Sequence, residues 1–384
     1  MDEQPLYLRI HTHLKQRIED GEWAHGAVLP SEFELCELYH ISRGTVRQVL
    51  AKLEEEKLVR RERGRGTFVT RPTTQKPANG MGNHSIAFIV PYVRDSFVST
   101  ILLGLESIAR ANGYVVVFSH VENDLEKQEL ALRQAIQQEI SGIILYPVNS
   151  KDTTPTLLDL AQKDFPLLLV DRYIRGLYTD FVASDNFGGG LSAARHLLRL
   201  GHRRIAFLSW KEPATSMEHR KVGYRQALIE AGIPLNPDLE WEVIGYPDID
   251  QGALAEQMAQ PERPTAIFAA NDQLAIAVQR VARTLKLNIP QDLALVGFDN
   301  LEISAQLDIP LTTVAQAAFD LGKVAGKLVM QKISGTSIHL QQSILPTQLI
   351  VRSSCGYQHA STIEGGHTGQ ILKIGRALWQ ISTI

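Results

Sequence analysis

The chain has 384 residues, 44% of them hydrophobic, which is enough apolar material for two or three domain cores. Its formal net charge of −3 argues against a polyanion-coated or membrane-bound protein, and no stretch approaches the about 20 apolar residues of a membrane span. The acidic start lacks the apolar run of a secretory signal, and Cys36 and Cys355 lie outside any C-x-x-C spacing, so we expect a cytoplasmic protein with free thiols.

Residues 1–71 predict three short helices followed by a hairpin. The first helix is indicated by apolar residues spaced four apart: Leu6, Ile10, Leu14 and Ile18. In LPSEFELCELY, Ser31 can act as the N-cap of a second helix, with Glu34 three residues later, which is the pattern of a capping box. Leu35 and Leu38 would then form the inner face of this helix.

A third helix is predicted after Ser42, which can act as its N-cap. Its inner face is formed by apolar residues, namely Val46, Val49, Leu50 and Leu53. The opposite face carries Arg43 and Arg47, with Thr45 and Gln48 beside them. This arrangement suits the major groove of DNA, because Arg bonds guanine edges and a helix N-terminus attracts phosphate. The alternative is a merely solvated polar face.

The stretch KLVRRERGRGTFV favours the DNA-binding interpretation. Its apolar ends flank Arg63-Gly64-Arg65-Gly66, which predicts two short strands joined by a glycine turn. From residue 57 to residue 71 there are six basic residues (Lys57, Arg60, Arg61, Arg63, Arg65 and Arg71) against one acid, Glu62. Residues 1–71 as a whole carry twelve basic and twelve acidic residues, so charge is segregated onto one face rather than abundant.

These motifs together resemble the winged helix-turn-helix of the GntR family of bacterial regulators. The resemblance covers residues 5–70 through the LPSE helix start, the SRGTVRQ helix and the GRGTFV wing. It implies DNA contacts at Ser31, Arg43, Thr45, Arg47 and the wing glycines. With the other polar residues of this face, the predicted DNA-binding residues are Ser31, Ser42, Arg43, Thr45, Arg47, Gln48, Arg63, Gly64, Arg65 and Gly66.

Beyond residue 71 the pattern changes. Residues 72–83 are rich in Thr, Pro, Asn and Gly and predict a linker. From residue 84, seven β-rich runs alternate with helical stretches: SIAFIV, YVVVFS, GIILYP, LLLVD, RIAFLS, AIFAA and LALVGF. Such alternation is typical of parallel sheets covered by helices, and the two batches of strands predict two α/β lobes.

Polar side chains recur where these strands end. Asp171-Arg172 follows LLLV, Asn271-Asp272 follows AIFAA, and Asp299-Asn300 follows LVGF. Aromatic residues lie near other strand ends, namely Tyr92, Phe97, Tyr173 and Trp210. Carboxylates that accept from hydroxyls, with flat rings over a C–H face, predict a sugar pocket beyond the strands. Each pair taken singly is also what a helix cap or turn requires.

Residues 84–356 resemble the effector domain of the LacI regulators and the related periplasmic sugar-binding proteins. The similarity is carried by RLGHRRIAFLS, NDQLAIAV, IPQDLALVGFDN, LTTV and LIVRSSC. It implies two lobes joined by three crossovers, with the ligand in the cleft between them. The predicted effector-binding residues are Tyr92, Phe97, Asp171, Arg172, Trp210, Arg220, Asp272 and Asp299, all of them implied by the resemblance except Trp210, which rests on its strand-end position. The DR pair at 171–172 is similar to that of the pentose- and hexose-binding members, and a GntR-type head on a LacI-type sensor resembles, more narrowly, the arabinose-responsive repressors.

The sequence therefore predicts a homodimeric repressor that binds a pseudo-palindromic double-stranded operator and is released by a small sugar, with a pentose favoured. A purine or other non-sugar effector, or a corepressor-type response, is the alternative. An enzyme is disfavoured, since G-x-S-x-G, H-E-x-x-H and P-loop motifs are absent and DNFGGG at 185–190 lacks nucleotide-binding spacing. We expect no cofactor and no metal. Residues 357–384 match neither family and predict disorder or a short amphipathic helix.

Overall fold

The computed structural model describes residues 6–19, 23, 27–56, 58–62, 66–69, 84–93, 95–163, 165–211, 214–244, 249–336 and 339–357. The chain divides into two compact units, Met1–Asn83 and His84–Ile384. The predicted linker at 72–83 lies outside the described residues. So do Arg63, Gly64 and Arg65 of the predicted wing, and the predicted C-terminal extension beyond Tyr357.

The first unit contains three helices and a hairpin, as the sequence predicts. They are α1 (Leu6–Glu19), α2 (Glu32–Tyr39), α3 (Arg43–Glu55), β1 (Val59–Glu62) and β2 (Gly66–Val69). The two strands are antiparallel, with Val59 opposite Val69 and Glu62 opposite Gly66. Residues 27–29 extend along the other side of β2, where the Leu29 amide donates to the Thr67 carbonyl at 2.8 Å.

The core of this unit is the one predicted, with one exception. The inner-face residues of α1 and α3 are buried, namely Ile10, Leu14, Ile18, Val46, Val49, Leu50 and Leu53, while the predicted Leu6 side chain lies outside the described part of the structure. Leu35 of α2 is also buried, but Leu38 is 54% exposed, so its prediction as an inner residue is wrong. Cys36 and Tyr39 pack against the core instead. The inner face of this two-turn helix is formed by positions i, i+1 and i+4, which are Leu35, Cys36 and Tyr39. Leu38, at position i+3, is left on the outer side.

In the second unit, the first lobe is built on a fully parallel six-stranded sheet with the order β13-β7-β6-β5-β3-β4. Its strands are β3 (Ser85–Val90), β4 (Val115–His120), β5 (Gly142–Leu145), β6 (Leu167–Val170), β7 (Asp180–Ser184) and β13 (Gln342–Leu345). Its helices are α4 (Ser96–Ala111), α5 (Leu125–Gln137), α6 (Pro155–Gln162) and α11 (Ala318–Ile333). Because strand side chains alternate, Ile86 and Phe88 pack with α4 and α11, while Ala87 and Ile89 pack with α5 and α6.

The second lobe repeats this plan with the order β14-β12-β11-β10-β8-β9, parallel except for β14. Its strands are β8 (Ile205–Trp210), β9 (Glu240–Val243), β10 (Ala266–Ala269), β11 (Ala294–Asp299), β12 (Thr312–Ala315) and β14 (Gln348–Ile350). Its helices are α7 (Asn186–Arg199), α8 (Thr215–Glu230), α9 (Gln251–Met258) and α10 (Asp272–Thr284). Within the described ranges, no helix is long and apolar enough to span a membrane.

The chain passes between the lobes three times, at residues 184–186, 315–318 and 345–348. These passages are the three crossovers that the family resemblance implies. The predicted fold class is confirmed, since two α/β lobes with parallel sheets follow a helix-turn-helix unit with a wing hairpin. All seven predicted strands exist, but five others were not predicted: β7, β9, β12, β13 and β14. Two of these five, β13 (QSIL) and β14 (QLI), are short and have a weak hydrophobic pattern. Alternation of apolar and polar residues over three or four positions gives little signal for a strand.

Candidate functional site

The exposed end of α3 presents the side chains predicted to meet DNA. Ser42 caps the helix, because its Oγ accepts from the Thr45 amide at 3.2 Å, and Ser31 and Glu34 form the predicted capping box. Arg43, Arg47 and Gln48 are exposed on the side away from the core. The free amides of this helix start and the neighbouring arginines form one electropositive edge.

Glu32 is a functional candidate that sequence reasoning missed. Its Oε2 accepts from Arg47 Nε at 3.0 Å, and its Oε1 accepts from Arg61 Nη2 at 2.6 Å. One carboxylate therefore ties the third helix to the first strand of the wing and orients both guanidinium groups. Gly66 adopts a left-handed φ of 121°, which admits glycine without strain at the wing turn.

In the first lobe, Arg172 is the centre of a buried polar cluster at the ends of β3, β5 and β6. Its Nη2 donates to Tyr146 Oη at 2.8 Å and to Tyr92 Oη at 3.3 Å, and its guanidinium lies 4.5 Å from the Tyr146 ring centroid. Its Nε lies 3.4 Å from the Asp171 carboxylate. Although burial disfavours the charged form, the neighbouring Tyr146, Tyr92 and Asp171 outweigh it and raise the pKa of Arg172, which stays a cation.

In the second lobe, Arg220 of α8 forms the matching cluster. Its Nε donates to Asn186 Oδ1 at 2.8 Å, and its Nη1 donates to the Ala270 carbonyl at 2.7 Å and to Asp299 Oδ1 at 3.3 Å. The guanidinium lies 3.7 Å from the ring centroid of Phe298. A buried cation with this many partners is fixed in one geometry, as a ligand-binding residue requires.

Two carboxylates of the cleft lie on unusual backbone. Asp171 has a φ of 69° and Asp299 a φ of 114°, and Asn300 follows with a φ of 53°. Non-glycine residues reach this region at a cost of about 1–3 kcal/mol, and such residues cluster at functional sites. The strained turns after β6 and β11 therefore direct these carboxylates into the cleft rather than along their strands.

The cleft is acidic, and its carboxyl groups influence one another. Burial raises the pKa of Asp299 well above its ordinary value, Arg220 opposes the rise, and the charges of Asp272, Asp95 and Asp171 add to it. Burial also raises the pKa of Asp95, the N-cap of α4. Groups that shift one another in this way lie close together, so the two lobes bring Asp95, Asp171 and Asp299 near the two arginines, with Asp272 behind them.

Asp272 does not line the cleft as predicted. Its Oδ1 accepts from Thr313 Oγ1 at 2.6 Å, and its Oδ2 accepts from Ser304 Oγ at 2.5 Å and from the Leu301 amide at 2.9 Å. These protein donors occupy both oxygens of the fully buried Asp272 carboxylate. Through these bonds Asp272 positions the loop after β11, which starts at Asp299 and Asn300.

Trp210 remains a predicted effector residue that no described contact tests. It ends β8, is half-buried and packs against the core of the second lobe. Phe97, by contrast, lines a cavity of about 270 Å³ together with Asp299, Asn300 and Gln316. Of the eight predicted effector residues, six therefore gather around the cleft: Tyr92, Phe97, Asp171, Arg172, Arg220 and Asp299.

Sequence reasoning missed four side chains of this site, which are Tyr146, Asn186, Phe298 and Gln316. Gln316 lies at the second crossover, where its Nε2 donates to Asp299 Oδ1 at 2.7 Å while its buried Oε1 has no protein partner. Tyr146 ends the predicted strand GIILYP, so the strand-end rule that selected Tyr92 would also have found it.

The glycine-rich DNFGGG segment serves the site through packing. Asp185 caps α7 by accepting from the Gly188 amide at 2.8 Å, which agrees with a cap rather than a nucleotide cradle. A Cβ on Gly190 would lie 2.3 Å from the backbone oxygen of Arg220, so only glycine lets α7 approach α8 here. This close approach brings Asn186 within reach of the Arg220 guanidinium.

The two lobes are bonded to each other on both sides of the cleft. On one side, the Thr215 amide donates to Ser150 Oγ at 2.9 Å, and Tyr173 Oη lies 3.2 Å from His219 Nε2. On the other side, Gln273 Nε2 donates to Asp95 Oδ2 at 2.9 Å. The structure therefore represents a closed arrangement of the lobes. No group of three or more His, Cys, Asp or Glu side chains is placed to hold a metal ion among the described residues.

Each of the two units matches a known protein family. Residues 6–69 match the family model of the bacterial regulatory proteins of the gntR family, and residues 194–355 match that of the periplasmic binding protein-like domain. A LacI family transcriptional regulator from Enterococcus faecium, solved with bound ribose, has a similar fold, with a TM-score of 0.62 and 26% identity over 71% of this chain and 98% of its own.

Two relatives cover both units. The chain is 31% identical over 363 residues to the arabinose metabolism transcriptional repressor of Halalkalibacterium halodurans, which covers 91% of this chain and 96% of the relative. It is 28% identical over 361 residues to the repressor of the same name from Geobacillus stearothermophilus, covering 91% and 97%. The chain therefore belongs to the family of the arabinose metabolism transcriptional repressors, DNA-binding regulators that join a GntR-type head to a sugar-sensing domain of the periplasmic-binding type.

Proposed function

We propose that this protein represses transcription from a bacterial operator and that a small sugar, with a pentose such as arabinose favoured, releases it. The observation that carries the proposal is a pair of buried arginine–carboxylate clusters, Arg172 with Asp171 and Arg220 with Asp299, one on each lobe of the same cleft. Because bacterial operator DNA lies in the cytoplasm, we also propose that the protein is cytoplasmic.

The chemistry of the cleft supports an uncharged, hydroxylated effector. Its carboxylates, hydroxyls and amides can accept from and donate to sugar hydroxyls, and each of its two arginines is already paired with a carboxylate. The unpartnered Oε1 of Gln316 offers one acceptor that a ligand hydroxyl would satisfy. We assign effector contacts to Tyr92, Phe97, Asp171, Arg172, Arg220, Asp299 and Gln316, and a supporting role to Asp272.

Release of DNA would follow from closure of the cleft. A sugar that bonds both arginine clusters binds the closed arrangement more tightly than an open one, so it shifts the population toward closure. We propose that closure lowers operator affinity by about 1–3 kcal/mol and that operator DNA weakens sugar binding by the same factor. If sugar instead tightens operator binding, the protein uses a corepressor-type response and this scheme fails.

We also propose a homodimer. The strand β4 is an edge of its sheet and exposes Val115 and Phe118, and Leu103 is exposed on the adjacent α4. Unpaired edges with apolar side chains invite a second chain. Two heads would then place their third helices in major grooves about 34–36 Å apart, or a multiple of that, on a pseudo-palindromic operator.

We assign the operator contacts to the exposed end of α3 and to the wing. The residues proposed to contact DNA are Arg43, Thr45, Arg47, Gln48, Arg63, Gly64, Arg65 and Gly66, with Ser31 and Ser42 at the two helix starts. Because Arg is suited to bidentate contact with guanine, Arg43 and Arg47 are the residues we propose to read bases.

Two measurements on the full-length protein test these proposals. A gel shift with DNA taken from beside the protein's own gene reports operator binding, and a thermal-shift panel of pentoses, hexoses and purines reports the effector. A compound present at 100 times its dissociation constant stabilises the folded chain by about 2.7 kcal/mol. Stabilisation by purines alone would contradict the sugar assignment, and failure to shift any promoter DNA would contradict the regulator assignment.

A further inference from the structure

The helix α8, which carries Arg220, begins without a cap from its own chain segment. Its N-cap residue is Ala214, whose side chain has no oxygen to accept from the first amides of the helix. These amides have no acceptor within an α-helix, and a buried amide left unbonded is costly. Thr215, the first residue of α8, is 1% exposed, so water does not reach this helix start. An acceptor from another part of the chain is therefore required.

The acceptor comes from the other lobe. Ser150, in the loop after β5, accepts from the Thr215 amide through its Oγ at 2.9 Å, and the two hydroxyl oxygens lie 3.2 Å apart. Tyr173, in the loop after β6, donates its amide to Thr215 Oγ1 at 3.2 Å, and its carbonyl accepts from the same hydroxyl at 3.2 Å. Two loops of the first lobe therefore bond the first residue of a second-lobe helix, and Ser150 acts as its cap.

Ser150 lies in a loop that the first lobe holds in shape by itself. Two positions before it, the Val148 amide donates to Gln128 Oε1 of α5 at 2.8 Å. The Ser150 carbonyl accepts from the Arg175 amide, in the loop after β6, at 3.1 Å. Both bonds join parts of the first lobe, so separation of the lobes leaves them intact. We therefore expect Ser150 to meet α8 in the same place whenever the cleft closes.

The elements that meet at this cap also carry the two arginine clusters of the cleft. In the loop after β5, the Val148 carbonyl accepts from Arg172 Nη1 at 3.3 Å, and Tyr146 Oη accepts from Arg172 Nη2 at 2.8 Å. On α8, Arg220 follows Thr215 after about one and a half turns of helix. The cap therefore joins the loop that holds one arginine to the helix that carries the other.

We propose that Ser150 is a positioning residue for the effector, which acts through α8 and does not touch the ligand. Ser150 is 3% exposed, and its hydroxyl lies against Thr215. Because the two residues belong to different lobes, the cap forms only when the lobes close, and it then completes the start of the helix that carries Arg220. The cap therefore favours the closed arrangement that the effector binds. This inference rests on the proposed function, in which the effector closes the cleft.

The test compares the full-length parent with Ser150→Ala and Ser150→Thr. Arabinose, xylose, ribose, glucose and hypoxanthine are titrated singly by calorimetry, and the compound that binds the parent most tightly is used for the comparison. Ser150→Ala should weaken that compound about two- to tenfold, the loss of about one hydrogen bond. The concentration that releases half of the bound promoter DNA should rise by the same factor. Ser150→Thr keeps the hydroxyl and should restore the parental affinity.

Asn236→Ala is the matched control, because it removes a helix cap that lies within one lobe. Asn236 Oδ1 accepts from the Asp238 amide at 2.9 Å and caps the short helix Pro237–Leu239, which precedes β9 at the edge of the sheet opposite the cleft. Asn236→Ala should lower the melting temperature without ligand and leave the ligand affinity unchanged. Ser150→Ala should show the reverse, since its bond forms on closure: a parental melting temperature without ligand and a weaker ligand affinity.

The outcomes separate this inference from the proposed function. If the parent binds a compound and Ser150→Ala binds it equally well, or if Ser150→Thr loses as much affinity as Ser150→Ala, the role of the Ser150 hydroxyl is overturned and the proposed function stands. If the parent binds none of the five compounds, the proposed function fails and this inference fails with it. If hypoxanthine alone binds, only the sugar assignment fails, and Ser150→Ala should still weaken hypoxanthine because the cap depends on closure.

Discussion

Replacement of Arg220 by methionine tests the cleft most directly. The change keeps an unbranched apolar stem beside Phe298 but removes the guanidinium that bonds Asn186, the Ala270 carbonyl and Asp299. Asp299 is then left buried, with Gln316 as its remaining hydrogen-bond donor among the contacts described. Both stability and the response to sugar should change, while the DNA-binding head stays intact.

The expected loss of stability follows from the burial of the pair. Removing one partner of a buried ion pair costs about 3–5 kcal/mol, because the other charge is left without compensation. At about 2–4 °C per kcal/mol for a domain of this size, the melting temperature of the effector domain should fall by about 6–20 °C.

The loss should also depend on pH. Burial already raises the pKa of Asp299, and removal of Arg220 raises it further, so protonation of Asp299 relieves the uncompensated charge. A group whose pKa is raised on folding loses stabilising power as pH rises through that pKa. The stability difference between parent and variant should therefore be larger at pH 8 than at pH 5.

Arg225→Met is the matched control. Arg225 lies on the same helix and pairs with Glu240, but its side chain is 42% exposed and Lys221 also contacts Glu240 at 2.9 Å, so its loss leaves no unpaired charge and should cost about 0–1 kcal/mol. Thermal melts and urea titrations of the full chain measure stability, and fluorescence anisotropy with promoter DNA measures release by arabinose. Arg220→Met should bind DNA within about twofold of the parent and fail to release it, whereas Arg225→Met should respond normally.

The double variant Arg220→Met/Asp299→Asn measures the interaction energy between Arg220 and Asp299 apart from their other contacts. Since it leaves no unpaired charge, it should be more stable than the sum of the two single losses implies, by about 0.5–3 kcal/mol. If Arg220→Met is released by sugar like the parent, the assignment of Arg220 to the effector is wrong. If it is no less stable than Arg225→Met, the buried pair does not carry the stability that we ascribe to it.

Three further predictions concern the DNA face and the buried acid behind the cleft. Arg43→Ala and Arg47→Ala should each weaken operator binding by about 1–3 kcal/mol and relax its specificity, and anisotropy titrations that show parental affinity for both would refute the assignment of α3. Arg63→Ala and Arg65→Ala should weaken binding to operator and unrelated DNA alike and reduce the slope of affinity against salt by about one each, whereas a loss confined to one sequence would show that the wing reads bases. Burial raises the pKa of Asp272 from 3.8 to about 6, so the unfolding free energy should fall by about 2 kcal/mol as pH rises from 4 to 7, and this part of the slope should vanish in Asp272→Asn; equal slopes in urea titrations of both proteins would contradict it.

Local patterns along the chain were enough to predict the head and the alternation of strands and helices in the second unit. In the head, Ser31 with Glu34 forms a capping box that marks the start of α2. The apolar residues that α3 packs against the core recur at helical spacing. The seven predicted strands are likewise marked by continuous apolar runs, and six of them are buried in a parallel sheet as such runs predict; β4, at the edge of its sheet, is the exception. Leu38 was misplaced because a two-turn helix shows too little periodicity to fix its inner face.

Which strand-end residues form the site depends on contacts between distant parts of the chain. Asp272 and Asp299 each follow a buried strand, and nothing in their neighbourhoods along the chain separates them. Their roles diverge because the fold brings three donors, from Leu301, Ser304 and Thr313, onto Asp272, while it brings Arg220 from 79 positions away to Asp299. A carboxylate binds whatever donors the packed chain places beside it, and long-range packing is the part of that environment that no local pattern encodes.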